Sequence, residues 1–285
     1  MNRFQPVARE LAATPGADSL CVMPAAPVSP FGEPADVDLS LFSLAGRTSV
    51  ITGASRNIGA ALAMGFAKAG SDLVLVARDE ARLNDHAERV REASGRRVET
   101  VAADVTALDA AERIGEAVSR VGRLDILLNN AFTGGSTLGP ITQSPDLVWD
   151  EVIGTNLLAP MRLCRAFAGE LTASRGSIIN VVSGSGLLPT PGMGAYGVSK
   201  AGLWMLTRYL AVELAPAVRV NALCPGITTP DGVADHPILE GLLPHVPLQR
   251  CAKPEELVGA AIYLASGAAS YTTGELLIAN GGRPW

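Results

Sequence analysis

Seven short runs rich in leucine and β-branched residues recur along the chain: RTSVIT (47–52), DLVLVA (72–77), VETVAA (98–103), LDILLNN (124–130), SIINVV (177–182), VRVNAL (218–223) and LLIA (276–279). The stretches between them are too long for hairpins, and several carry apolar residues three and four apart, as in EARLNDHAERVREA (80–93), which Gly95 stops. Strands joined by such crossovers pair in parallel, and their apolar runs show that both faces are covered. The predicted fold is therefore α/β: a single-domain, doubly wound, seven-stranded parallel sheet with helices on both faces. Right-handed crossovers then collect the carboxyl ends of the strands on one rim, where such sheets bind ligands. No repeat of solenoid length interrupts the pattern.

The 285 residues are 48% hydrophobic and 18% charged, as in a soluble globular protein, and the net charge of −5 provides no basic field for nucleic acid or anionic lipid. A small molecule is the expected partner. No run reaches the roughly 18–20 apolar residues of a spanning helix. MPAAPV near the amino end is short and broken by proline, and Glu10, Asp18, Glu33, Asp36 and Asp38 do not suit a transit peptide, so a cytoplasmic location is expected. Cys21, Cys164, Cys224 and Cys251 form no C-x-x-C pair and are expected reduced, and three scattered histidines predict no metal site. The first 44 residues hold six of the 19 prolines and no hydrophobic period. They read as a flexible or loosely docked extension to a domain over 45–285.

VITGASRNIGAALAMGFAKAG (50–70) passes from a strand through a small-residue turn into an alanine-rich helix. Glycine lets a backbone approach a pyrophosphate, and the free N–H groups of a helix start favour the anion. Gly53, Ser55, Arg56, Asn57, Ile58 and Gly59 are thus candidate dinucleotide contacts. At the end of the second strand, where an acidic residue would bond a free ribose 2′-hydroxyl, stand Ala77 and Arg78. With Arg56 in the turn, Arg78 suits a 2′-phosphate, which favours NADP over NAD.

Tyr196 and Lys200 lie four residues apart in AYGVSKAG, one helical turn, so their side chains project side by side. A phenol ionises near pH 10 and a neighbouring ammonium favours phenolate by roughly 1–3 pH units, which would let Tyr196 exchange a proton with a carbonyl or alcohol. Thirteen residues upstream, Ser183 ends a strand on the ligand rim, where its hydroxyl can meet a substrate oxygen. Ser185 competes for that role.

TGASRNIG (52–59), ADV (103–105), NNA (129–131), TNLLAP (155–160), Ser183, YGVSK (196–200) and CPG (224–226) occur in an order and spacing that resemble the short-chain dehydrogenase/reductases over about residues 44–282. The resemblance implies a Rossmann-like domain and an NADP(H)-dependent oxidoreductase that transfers hydride between nicotinamide and a ketone or secondary alcohol. Tyr196 would be the acid/base, Lys200 would lower its pKa and hold the nicotinamide ribose, and Ser183 would position the carbonyl or alcohol. Asn156 would sit in a helix kinked around a bound water and complete a proton relay to Lys200. Asp104 and Val105 would hold the adenine, Asn130 and Ala131 would line the cofactor cleft, and Pro225, Gly226 and Ile227 would pass the nicotinamide. Homotetramers or dimers pairing helices near 147–172 and 195–215 are also implied.

The chain departs from the family pattern at four places. Asn57 and Phe132 stand where glycines are usual, Pro230 takes the slot of a threonine with Thr228 and Thr229 beside it, and Asn280 replaces a frequent aspartate. Residues 227–248, rich in proline and glycine, read as a lid with an apolar underside of Ile238, Leu239, Leu242 and Leu243. With Leu187, Leu188, Met193 and Phe132 they point to an uncharged or largely apolar substrate, and His236 and His245 are read as lid-surface residues. The alternatives are a 3-oxoacyl-thioester reductase of fatty-acid or polyketide type, and a dinucleotide-binding regulator without turnover.

Overall fold

The computed structural model describes residues 38–134, 139–234 and 237–284. Most of the expected extension over 1–44 lies outside the described residues, as do Cys21, His236 and the side chains of Ile238 and Leu239. The strands are β1 (Thr48–Thr52), β2 (Asp72–Ala77), β3 (Val98–Ala102), β4 (Ile126–Asn129), β5 (Ser177–Val181), β6 (Arg219–Pro225) and β7 (Leu276–Ala279). The helices are α1 (Asn57–Lys68), α2 (Glu80–Ser94), α3 (Ala110–Val121), α4 (Asp146–Ile153), α5 (Ala159–Ser174), α6 (Gly194–Glu213), α7 (Pro237–Leu242) and α8 (Val258–Ala265). All seven strands are parallel in the order β3-β2-β1-β4-β5-β6-β7, the doubly wound sheet expected.

The winding reverses between β1 and β4, where the register pairs Val50 with Leu127 and Ile51 with Leu128. Successive side chains point to opposite faces. Ile51, Leu73, Leu75 and Ile179 enter a core closed by Leu62, Phe66, Leu83 and Leu264, whereas Val50, Val74, Val76 and Ile178 enter another closed by Ile114, Leu163, Phe167 and Leu171. Each aliphatic side chain so buried contributes about 1.5–3 kcal/mol relative to exposure. The continuous apolar character of the strands is thus a demand of two cores.

Strand ends shift slightly from expectation, for visible reasons. β4 starts after Asp125, whose buried carboxylate accepts from Thr48 N at 3.0 Å and pairs with Arg123 at 2.8 Å. It stops before Asn130, which bonds back to Thr52. At the amino edge Leu44 is fully buried and its N–H donates to Ala69 O at 2.8 Å, so this residue, expected at the border of the extension, belongs to the core. The long helix expected near 147–172 is broken into α4, a π-helical turn over Gly154–Leu158, and α5.

The foot of β2 is held by a charge cluster. Asp72, almost fully buried, accepts from Arg96 Nε (2.9 Å), Arg97 Nε (2.9 Å) and Arg97 N (3.1 Å). Burial pushes its carboxyl up, but these bonds outweigh burial and hold it below the ordinary 3.8. Asp72→Ala is expected to lower unfolding stability by about 1–3 kcal/mol at neutral pH. Because the folded pKa is depressed, the contribution is complete above pH 3.8 and fades as the pH falls below it. Urea unfolding of both proteins at pH 7 and pH 3 checks this, with a smaller difference expected at pH 3.

Candidate active site

β1 ends in Thr52, and the chain must turn sharply to enter α1. Gly53 takes φ 68°, and a Cβ there would lie 2.9 Å from Ala131 Cα. A Cβ on Gly59 would lie 2.1 Å from Gly53 O. Asn57, in place of a glycine, takes φ 47°, a left-handed backbone that asparagine tolerates better than most residues. The turn is stitched to the end of β4: Thr52 Oγ1 accepts from Asn130 N and Ala131 N, both at 3.0 Å, and Asn130 Nδ2 donates to Thr52 O at 2.9 Å. No side chain caps the start of α1, so the N–H groups and dipole of its first turn remain directed at the cleft.

The cleft above this turn holds about 350 Å³ and runs from Gly53 and Arg56 past Asp104 and Val105 to Phe132 and Thr228. Ser55, Asn57, Ile58, Gly59, Arg78, Asn130 and Ala131 also line it. At the far end Arg78 Nη1 lies 3.8 Å from Asp104 Oδ2. Burial raises the Asp104 carboxyl, yet hydrogen bonds from Thr106 N (2.8 Å) and Thr106 Oγ1 (2.7 Å), with the Arg78 cation, hold it below its usual range. Arg82, in the first turn of α2, joins Arg56 and Arg78 in the cleft wall. Sequence reasoning missed it, although its position four residues after Arg78 was a signal.

The second half of the site sits on β5, β6 and α6. Ser183 caps a 3-10 turn over Gly184–Gly186, its Oγ accepting from Ser185 N at 3.3 Å, and its hydroxyl stands near enough to the Tyr196 phenol to lower its proton affinity. Ser185 Oγ instead pairs with Thr190 Oγ1 at 3.0 Å, which leaves Ser183 as the serine beside Tyr196. Lys200 is buried, donates from Nζ to Val181 O at 2.8 Å, and places Nζ 5.8 Å from the centroid of the Tyr196 ring.

The electrostatics of this pair differ from the sequence expectation. Burial pushes the Tyr196 phenol up, Ser183 opposes the rise, and Cys224 adds to it. Burial also brings the Lys200 amine down to about 7 against a smaller upward pull from Cys224. An amine that holds its proton so weakly is a poor source of positive charge near neutrality. In the free protein, burial therefore overrides the expected lowering of Tyr196 by Lys200.

Asn156 lies buried within the π-helical turn that interrupts the helix. Its side chain is spent on structure: Oδ1 accepts from Thr133 N (2.9 Å), and Nδ2 donates to Thr133 O (2.9 Å) and Ser199 Oγ (3.0 Å). Ser199 Oγ in turn donates to Tyr196 O at 2.7 Å. Asn156 thus joins the segment after β4 to α6. Pro225 ends β6 opposite Ala279, and Gly226, whose Cβ would lie 2.6 Å from Asn280 Cα, passes into Ile227.

Residues 53–283 match the family model described as Enoyl-(Acyl carrier protein) reductase. An uncharacterized oxidoreductase of Mycobacterium tuberculosis is 37% identical over 253 residues, which cover 86% of this chain and 94% of that protein. An A-factor type gamma-butyrolactone 1′-reductase of Streptomyces virginiae is 39% identical over 248 residues, 84% of this chain and 96% of that protein. Among solved structures, L-sorbose reductase from Gluconobacter frateurii complexed with NADPH and L-sorbose is similar at a TM-score of 0.78 and 35% identity, with 85% of this chain and 98% of that one covered. The chain belongs to the short-chain dehydrogenase/reductase family.

The remaining departures of this short-chain dehydrogenase/reductase acquire structural readings. Asn280 closes the turn after β7, its Oδ1 accepting from Gly282 N (3.0 Å) and its Nδ2 donating to Arg283 O (2.7 Å). Thr228 lines the cleft and donates from Oγ1 to Gly226 O at 3.1 Å, whereas Thr229 Oγ1 is buried without a protein partner. Phe132 stands at the cleft with its ring against Tyr196, centroids 6.2 Å apart and planes at 63°.

The buried amine predicts a pH signature. An unfolded lysine takes up its proton near pH 10.5 and the folded Lys200 only near about 7, so stability drops as the pH is lowered between those values and is level below them. Lys200→Met removes that slope, at the cost of the bond to Val181 O. The free variant is expected to be more stable than wild type at pH 7 by on the order of 1–3 kcal/mol, with the gap closing toward pH 10. Urea midpoints at pH 7 and 9.5 measure it.

Proposed function

We propose that this chain is an NADP(H)-linked oxidoreductase interconverting a ketone and a secondary alcohol. The observation that carries the reading is the placement of Ser183, Tyr196 and Lys200 at the carboxyl rim of the same sheet whose β1–α1 turn forms a glycine cradle. The cradle fits a dinucleotide, because a Cβ at Gly53 or Gly59 would close it and the start of α1 faces it. Gly53 to Gly59 would take the pyrophosphate, Asp104 and Val105 the adenine, and Arg56 and Arg78 the 2′-phosphate. Asn130, Ala131 and the turn through Pro225, Gly226 and Ile227 would flank the nicotinamide.

A nicotinamide held there would supply the hydride donor or acceptor for the substrate carbon. Tyr196 gives its phenolic proton to the carbonyl oxygen, and the elevated proton affinity of the free site keeps that proton in place at neutral pH. Ser183 donates a hydrogen bond to the same oxygen as negative charge develops there. Lys200 holds the ribose side and returns a proton toward Tyr196, while Asn156 braces the helix that carries both. In alcohol oxidation the phenolate form of Tyr196 takes the proton.

Residues 227–248 act as the lid, tied at its base by the bridge between Thr228 and Ala252 and by the buried Val246. Partly exposed Phe132 and Leu188 give the approach an apolar character and support a largely apolar carbonyl substrate. Val198, Met205, Tyr209 and Val212 form an exposed apolar stripe on α6, which supports assembly into a dimer or tetramer. Among the described residues no helix is long and apolar enough to cross a membrane, and a cytoplasmic enzyme is the reading we adopt. A 3-oxoacyl-thioester substrate is the second reading, supported by the similarity to a 3-oxoacyl-[acyl-carrier-protein] reductase of Chlamydia muridarum, 31% identical over 246 residues that cover 84% of this chain and 98% of that protein.

NADPH oxidation followed by absorbance across a panel of ketones and 3-oxoacyl thioesters tests the function. Tyr196→Phe is expected to lower kcat by about 10²–10⁴-fold with little change in the affinity for NADPH; wild-type turnover in the variant would refute the mechanism. In the same assay Arg78→Ala is expected to raise the KM for NADPH by about tenfold or more and to leave that for NADH nearly unchanged, an effect of about 1.4 kcal/mol.

A further inference from the structure

We propose that Phe132 is a positioning residue for the acid–base pair: in the free protein its ring covers the Lys200 amine on the cleft side and keeps it dry, turned toward Val181 and Tyr196. The inference rests on the reading of Lys200 as part of the reacting site. It begins with how that amine is enclosed. The stem of Lys200 packs so closely on Gly186 that a Cβ there would lie 2.9 Å from Lys200 Cβ. Nζ spends one hydrogen on Val181 O at 2.8 Å. The Tyr196 ring stands on one side, its centroid 5.8 Å from Nζ, and the Phe132 ring on another, at 5.7 Å. Of these walls Phe132 is the exposed one, at 56%, and it lines the open cleft, whereas Lys200 does not.

The ring is also held in place. Asn156 grips both the N–H and the C=O of Thr133, the next residue, and Phe132 meets Tyr196 edge to face. The preceding peptide is fixed through Ala131 N to Thr52 Oγ1. Both backbone neighbours of Phe132 are therefore clamped, and the ring is aimed at the amine by the same π-helical turn that braces the catalytic helix. The titratable groups facing Lys200 are Tyr196 from α6 and Cys224 from β6, with the Val181 carbonyl from β5 and the Ser183 hydroxyl behind the phenol. A dry amine takes up a proton less readily, so an aromatic cover at this point sets the pH range over which the pair changes charge.

Trace labelling of the free protein with acetic anhydride at a series of pH values, read at Lys200 by peptide mass spectrometry, tests the assignment without turnover. Wild type should label slowly with a midpoint near about 7. Phe132→Ala should label several-fold faster at Lys200 and move the midpoint up by about one pH unit or more, since water then reaches the amine. Phe132→Tyr should restore the wild-type values. Circular dichroism selects folded samples, and Phe132→Ser serves as the truncation if the alanine variant does not fold. A truncated variant with the wild-type midpoint and rate, or a shift shared by Phe132→Tyr, overturns the proposal. Failure of the wild type to oxidise NADPH with any carbonyl would overturn the proposed function instead, while leaving the labelling result readable.

Discussion

A parallel sheet covered on both faces has no room for chemistry along its strands. β1 is buried from Thr48 to Thr52, its neighbours are nearly as dry, and polar side chains inside the ladder such as Ser49, Asn180 and Asn221 are bonded within the protein, so groups able to meet a ligand stand where the ladder ends. The carboxyl rim is where Thr52, Asn130, Ser183 and Gly226 emerge, and the reversal between β1 and β4 opens the gap between them. Thr52 secures that gap by taking two backbone N–H groups from the end of β4 on one hydroxyl oxygen. The cradle, the wall of the cleft and the segment that carries Phe132 all take their position from this junction.

The same dryness governs the reacting groups. Tyr196 and Lys200 stand side by side as helical spacing requires, but proximity does not decide their charge. Taking a phenol out of water favours its neutral form, and taking an ammonium out of water favours the amine, so both groups lean toward carrying no charge. A site of this kind stores its proton on the oxygen. In the proposed reaction that suits delivery to a carbonyl, and it makes whatever limits water around Lys200 a determinant of its rate.

The strands, their order of appearance, the cradle and the Ser183–Tyr196–Lys200 grouping were legible in the sequence, because each follows from a local rule. Two-sided burial demands apolar runs, a tight strand-to-helix turn demands Gly53, and four residues of helix align Tyr196 with Lys200. The left-handed backbone of Asn57 could also be anticipated from its side chain. What could not be read depends on contacts between distant segments. Thr52 looks like any strand-end threonine until Asn130 and Ala131 arrive 78 and 79 positions later. The bonds of Asn156 to Thr133 and Ser199, the choice of Ser183 over Ser185, and the burial that overrides the pairing of Lys200 with Tyr196 all arise only once three strands and a broken helix converge.

The π-helical turn between α4 and α5 also reconciles two phases. Nineteen residues separate Val152 from Leu171, both inward-facing. At about 100° per residue a continuous α-helix would leave them roughly 100° apart around the axis. Five residues wound more loosely, at about 82° each, remove roughly 90° of that error. One widened turn therefore lets α4 bury Val152 and the turn itself hold Asn156, while α5 still lays Leu163, Phe167 and Leu171 against the sheet. Removing a single residue there would let the turn close to ordinary α-helix, with eighteen steps of about 100° between the two side chains, so the downstream stripe would keep its face and only the widened turn that holds Asn156 would be lost.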